Sequence, residues 1–329
     1  MGVVVTAGYF AGWRFRALII SVVVAVGGYL VISLYSGWQD VVEAFWKIGL
    51  PGTLIALALS LLNYGLRFIR WQMYLESMGH KVAWRPSLRI YLSGFALTTT
   101  PGKAGEAFRG VLLKQRGVPL PATLAAFVSE RLSDLIAIVL LTLLGLSQYP
   151  QAQNLVLIGI VAILAMLVAL SSRRFHSLLL KRSETYSGRF EGAFRAGVAL
   201  LKDAHNCHSP WLLCIATLLS VVAWGGEALA FYWVLQWLGS DISLSFAVFI
   251  YALSVLAGAI SFLPGGLGSA EAVMISLLVL KGMTMPVAIA ATVFIRLATL
   301  WFAVFIGLVA LIRSRHGEAL PDENNGEVL

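Results

Sequence analysis

Charge is scarce in this chain and cysteine scarcer still. Of 329 residues only 12% are Asp, Glu, Lys or Arg, and two are cysteine. So little charge excludes both a solvated disordered chain and an ordinary soluble domain, which carries about twice as much. Two cysteines, Cys207 and Cys214, exclude a disulfide framework. The chain also lacks a Walker loop, a Gly-Ser nucleophile elbow, a His-Glu-x-x-His pair and a Cys-x-x-Cys pair, the usual marks of nucleotide, acyl-transfer and metal chemistry. No cofactor or metal is expected. His205, Cys207 and His208 lie close together, but a single cluster without a second ligand pair reads as surface loop.

What the chain does have is apolar sequence, 59% of it. Runs of membrane-spanning length fall at residues 17–35, 50–70, 122–146, 155–170, 210–238 and 287–312. Two more apolar segments, 87–117 and 244–282, are interrupted by Pro-Gly motifs. The arm after each interruption, 106–116 or 270–281, has about a dozen residues and reaches about 18 Å. The hydrocarbon core is roughly 30 Å thick, so both segments are predicted to be re-entrant hairpins. The expected fold is all-α: a polytopic membrane protein with six full transmembrane helices and two re-entrant helical hairpins.

The distribution of Lys and Arg orients it. With Arg14 and Arg16 inside, the cytoplasmic loops collect Arg67, Arg70, Lys81, Arg85, Arg89, Lys114, Arg116, the basic loop 171–209, Arg313 and Arg315. Only Lys47 and Lys281 fall outside. This predicts an inner-membrane protein with both termini cytoplasmic and the first span retained. Arg67 and Arg70, at the end of the second span, read by default as snorkelling anchors. Residues 36–48 carry aromatic and aliphatic side chains at helical spacing, which fits a short helix in the outer interface.

The two interrupted segments are versions of one another. Pro101-Gly102-Lys103-Ala104-Gly105-Glu106-Ala107 returns as Pro264-Gly265-Gly266-Leu267-Gly268-Ser269-Ala270-Glu271-Ala272. Beyond Glu106 the register holds, matching Glu106 to Glu271, Pro121 to Pro286 and Arg131 to Arg296. Residues 1–150 are therefore expected to form one repeat, 151–314 a second, and 315–329 a disordered tail. Each repeat has three full spans, an odd number, so the second is inverted. Paired Gly/Pro-broken segments in an inverted repeat point to a transporter whose site lies where the broken helices meet, exposed alternately to each face.

Ionisable residues inside a bilayer are costly and mark function by default. Glu130 and Asp134 share a helical face, Arg131 and Asp134 form an i,i+3 pair, and Glu227 and Arg296 lie well inside their spans. Two roles compete for Glu106, Glu271, Arg131 and Arg296. They can contact substrate, or the glutamates can cap the hairpin arms and pair with the arginines as scaffold. Arg109 and Lys103, whose repeat counterparts are Met274 and Gly266, favour a substrate role, because asymmetry is where function departs from scaffold. The candidate binding set is Lys103, Glu106, Arg109, Glu130, Arg131, Asp134, Glu271 and Arg296. The turns are formed by Pro101, Gly102, Gly105, Pro264, Gly265, Gly266 and Gly268.

These motifs, with Arg67-Phe68-Ile69-Arg70-Trp71 and Glu130-Arg131-Leu132-Ser133-Asp134-Leu135, resemble the flippase-like integral membrane domain of bacterial lysylphosphatidylglycerol synthetases, known also as stand-alone proteins. The likeness spans about residues 14–314 and implies movement of an aminoacylated or anionic phospholipid, or of a polyprenyl-linked lipid, between leaflets. The aminoacyl-transferase domain of the bifunctional members is missing, so lipid aminoacylation is not expected. Membrane lipids are the expected partners and nucleic acid is not; a homo-oligomer is compatible. Two other readings are an accessory scaffold that recruits envelope-biosynthesis enzymes, and an intramembrane enzyme using Glu130 or Asp134 as acid or base.

Overall fold

The computed structural model describes residues 38–100, 106–171, 197, 200, 203–205 and 207–317. The expected first span, the tip of the first interruption with Pro101, Gly102, Lys103 and Gly105, most of the loop 171–209, and the tail beyond 317 lie outside the described residues. Among those described, the chain is entirely helical, with no strand.

Among the described residues the frame is set by α1 Trp38–Ser77, α2 Trp84–Ser93, α3 Arg109–Lys114, α4 Leu120–Leu143, α5 Gln153–Ser171, α6 Pro210–Trp237, α7 Leu244–Ile260, α8 Ser269–Leu280, α9 Met285–Arg296 and α10 Phe302–Gly317. Among the described residues four segments are long and apolar enough to cross a bilayer: Val42–Ser77, Pro150–Val168, Pro210–Trp237 and Met285–Arg313. They coincide with four of the six expected spans. α4 coincides with a fifth expected run and its 24 residues reach about 36 Å, but it carries Glu130, Arg131 and Asp134 and is not one of these four.

Local chemistry explains the bends. In α1, Pro51 has no N–H to donate, and Gly49 takes φ 61°, ψ −173°, so an eleven-residue helix ends there and a longer one begins. Trp46, 81% exposed, projects from the first piece. In the second interrupted segment, α7 stops at Ile260 and α8 starts at Ser269. Gly265, Gly266 and Gly268 between them all have positive φ. At Gly266 even a methyl would be excluded, because a Cβ would lie 2.9 Å from the Cα of Gly258 on α7. The first interruption is shaped differently: α2 tightens into a 3₁₀ turn, Gly94–Leu97, and the second arm resumes as a short 3₁₀ stretch leading into α3. Both arms are too short to cross a bilayer, α8 with 12 residues and α3 with six.

Helix packing exchanges partners between the halves in matched pairs. α1 packs on α6; α6 packs on α4 as α1 does on α9; α7 packs on α4 as α2 does on α10; α8 packs on α7 and α9 as α3 does on α2 and α4. Turns at equivalent positions also share their geometry. Val118 N–H donates to the Leu113 carbonyl at 3.2 Å and Met283 N–H to Leu278 at 3.1 Å, around Gly117 and Gly282 with φ 79° and 90°. The next helix then starts in each case with a proline in its first turn, Pro121 or Pro286.

Candidate functional site

Four arginines and three carboxylates of the first half condense into one buried cluster. α1 runs on through Trp71 to Ser77, so Arg67 and Arg70 lie inside the helix and are 5% and 0% exposed. They do not snorkel. The headgroup-anchor expectation fails because seven further residues of helix carry both side chains back into the protein. Arg70 Nη1 donates to Asp134 Oδ1 at 2.7 Å and to the Ser220 hydroxyl, and its Nη2 lies 3.7 Å from Glu130. Trp224 Nε1 also donates to Asp134 Oδ1, at 3.0 Å. Glu130 and Asp134 share a face of α4, as their spacing predicts, and both meet arginines across the interface with α1.

Arg109 closes the other side of the cluster. Its Nη2 donates to Glu130 Oε2 at 2.8 Å, and its Nε to the Glu106 carbonyl at 3.0 Å. The guanidinium lies 4.4 Å from the Trp71 ring centre and 4.9 Å from that of Tyr91, stacking distances for a cation. Gly94 lets the side chain through, since a Cβ there would stand 2.9 Å from Arg109 Cγ and Cδ. Glu106 accepts from the Thr98 hydroxyl at 2.7 Å and lies 3.6 Å from Arg131 Nη2, which is itself 3.2 Å from Asp134 Oδ2.

The second half repeats this more simply. Glu271 accepts the Gly268 N–H at 2.6 Å, capping α8, and also accepts from Arg296 Nε at 2.6 Å. Arg296 Nη2 reaches the Gly265 carbonyl at 2.9 Å, tying α9 to the glycine turn. Immediately after Arg296 the helix widens into a π turn, Leu297–Trp301, and the Tyr64 hydroxyl donates to the Thr299 carbonyl at 2.5 Å. The equivalent stretch of α4 stays α-helical. Such π turns are frequent at functional positions. Glu227, in α6, accepts from the Tyr251 hydroxyl at 2.6 Å.

Between the halves lies a cavity of about 350 Å³. Its polar lining is formed by Arg67, Glu106, Arg131, Asp134, Glu227 and Arg296, and Gly265 and Gly266 of the turn also line it; much of the remainder is apolar, including Phe95, Trp224 and Phe262. The structure thus brings Glu106, Arg131, Asp134 and Arg296 of the expected set onto one surface. Glu271 acts on it through Arg296. Arg109 and Glu130 do not line it: both are almost wholly buried behind the wall, paired with each other. Pro264 and Gly268 shape the turn from outside the cavity, and Lys103 lies outside the described residues. Among the described residues no group of three His, Cys, Asp or Glu side chains is placed to hold a metal.

Sequence reasoning missed Arg67, Tyr64 and Trp224. The available signal was helical spacing: residues 64, 67, 71 and 74 follow one stripe of α1, and a stripe of Tyr, Arg, Trp and Tyr is too polar for lipid.

An all-helical, multi-pass membrane protein with broken helices around an internal charged cavity is the class these features define. The chain belongs to the family described as the lysylphosphatidylglycerol synthase TM region, whose model matches residues 18–307. It is similar to a UPF0104 membrane protein of Pyrococcus horikoshii, at 21% identity over 323 residues, 89% of this chain and 96% of the relative. Two UPF0104 membrane proteins of Methanothermobacter thermautotrophicus are 24% and 25% identical, over 89% and 91% of this chain and 94% of each relative.

Proposed function

We propose that this protein moves a lipid between membrane leaflets, its headgroup passing through the central cavity while the acyl chains remain in the bilayer. The observation that carries this reading is that cavity: three arginines and three carboxylates line a largely apolar enclosure drawn from both halves of the chain. A hydrophobic enclosure with a few convergent charged groups suits a ligand that is part polar and part apolar. The family's description names a synthase of lysylphosphatidylglycerol, which is consistent with an anionic or aminoacylated phospholipid as cargo; a polyprenyl-linked lipid has the same chemical division.

In this reading six helices cross the inner membrane, both termini are cytoplasmic, and the two interrupted segments are re-entrant hairpins of an inverted repeat. The exchange of packing partners between halves and the matched turns at Gly117 and Gly282 support the repeat. Alternating access then follows from rocking one half against the other around the shared cavity. The activity is transport without chemical change to the lipid.

Reconstitution into vesicles with a panel of fluorescent lipids tests it. Accelerated loss of the inner-leaflet signal to an impermeant quencher is expected for anionic or aminoacylated lipids. Folded protein that accelerates none of them overturns the proposal.

A further inference from the structure

Arg67 stands apart from the other arginines of the cluster. Arg70 and Arg109 each make one strong ion pair, at 2.7 and 2.8 Å, and, although Arg70 Nε and Nη2 and Arg109 Nη1 also lack an acceptor, both sit behind the wall. Arg67 lines the cavity, is 5% exposed, and has its nearest carboxylate oxygen 3.7 Å away. Among the described residues its Nε and Nη2 find no hydrogen-bond acceptor. The guanidinium lies 5.7 Å from the Phe95 ring centre and 5.5 Å from that of Trp224, which fixes its orientation without satisfying its N–H groups. Arg131, on the same wall, likewise keeps Nε and Nη2 without an acceptor at hydrogen-bonding geometry. A buried donor left unmade costs more than a made one gains; Asp134 Oδ2, 3.2 Å from Arg131 Nη2 and 3.7 Å from Arg67 Nη2, lies near both arginines, and the two Nε groups are left to an acceptor in the cavity.

Resting on the transport reading, we propose that Arg67 and Arg131 form the anion-binding pair of the cavity and that the group they hold is the phosphodiester of a lipid headgroup. Two forked guanidiniums match the oxygens of a phosphate better than those of a neutral carbonyl ligand. Charge selects the ester. The ion-paired cluster sets four arginines, Arg67, Arg70, Arg109 and Arg131, against three carboxylates, Glu106, Glu130 and Asp134, leaving one positive charge over. Arg296 with Glu271 adds one charge of each sign and Glu227 one more negative, so among the described residues the charges around the cavity balance, and a phosphodiester adds a single negative charge. A phosphomonoester brings up to two. The second charge doubles the uncompensated charge in a largely apolar cavity. The site therefore prefers diester lipids to phosphatidic acid and to free inorganic phosphate.

The test uses the full chain in detergent and measures binding of short-chain phosphatidylglycerol by native mass spectrometry, with phosphatidic acid and inorganic phosphate as competitors. Wild-type protein is expected to hold phosphatidylglycerol against an equal concentration of either competitor. Arg67→Gln is expected to weaken binding about tenfold or more, the scale of a lost charge-assisted hydrogen bond. Arg67→Lys keeps the charge but not the fork, and is expected to recover only part of the affinity. Equal binding by wild type and a folded Arg67→Gln variant overturns the assignment of Arg67. Equal or better competition by phosphatidic acid overturns the diester preference, and by inorganic phosphate the lipid source; neither competition needs a variant to fold. If binding behaves as expected but vesicles show no transport, the transport reading fails while the anion site stands.

Discussion

Arg296 donates to Glu271 at 2.6 Å across 25 residues, and Arg131 stands 3.6 Å from Glu106, also 25 residues earlier. Matched pairs in the two halves join a hairpin arm to the helix that follows it. The pairing expected of a scaffold is present in both halves, and three of the four side chains, Glu106, Arg131 and Arg296, also line the cavity.

Removing one member of such a pair strands the other. Arg296→Ala leaves Glu271 buried without its cation and is expected to cost about 3 to 5 kcal/mol, whereas replacing both partners costs less than the sum of the single changes. Thermal unfolding of the two single variants and the double variant in one detergent measures this; additive losses would rule out the coupling.

Arg109→Ala should behave as a folding defect. The side chain fills the space between Trp71 and Tyr91 and compensates Glu130 and Glu106, so its removal is expected to lower the melting temperature and the yield of folded protein. A folded variant with unchanged melting temperature and selectively lost transport would return Arg109 to the substrate site.

Close helix contact at Gly307 admits no side chain. A Cβ there would stand 2.2 Å from the Ala96 backbone nitrogen, whereas at Gly225 it would meet nothing within 4 Å. Gly307→Val is therefore expected to separate α10 from the Gly94–Leu97 turn and cost several kcal/mol, while Gly225→Ala changes stability by about 1 kcal/mol or less. Paired unfolding curves check the contrast.

Cys207 reports folding. Its thiol is buried in the loop before α6, and burial pushes its pKa up to about 11. Thiolate is the reactive form, so at pH 8 roughly one thiol in a thousand is ionised and maleimide labelling should be slow, rising with pH. Unfolding should restore the rate of an ordinary thiol. Rapid labelling of the folded protein at pH 8 would contradict the burial.

Broken helices and the Glu-Arg offset were legible because both are written locally: Pro and Gly interrupt an apolar run, and the same interruption returns 165 residues later at Glu271. The burial of Arg67 and Arg70 was not. Hydropathy ends the second span where charge begins, while the structure continues the helix, because Asp134, 64 residues beyond Arg70, and Trp224, 90 residues beyond Asp134, supply partners. The stripe of Tyr64, Arg67, Trp71 and Tyr74 marks a face of α1 unsuited to lipid, but nothing near it in the chain identifies those distant partners. Arg109 shows the converse difficulty: its lack of a repeat counterpart pointed toward substrate, yet the asymmetry is filled by Trp71 and Tyr91 packing on it.

Leu120 and Met285 occupy equivalent positions in the two halves, at the start of α4 and α9, and are 44% and 52% exposed. The proposal of two hairpins opening on opposite faces onto one cavity requires them to lie on opposite sides of the membrane. With Cys207 and Cys214 replaced by alanine, Leu120→Cys and Met285→Cys are to be labelled by an impermeant maleimide in sealed vesicles of known orientation. The account predicts labelling of position 120 only from the cytoplasmic side and of position 285 only from the outer side; labelling of both from the same side would contradict it.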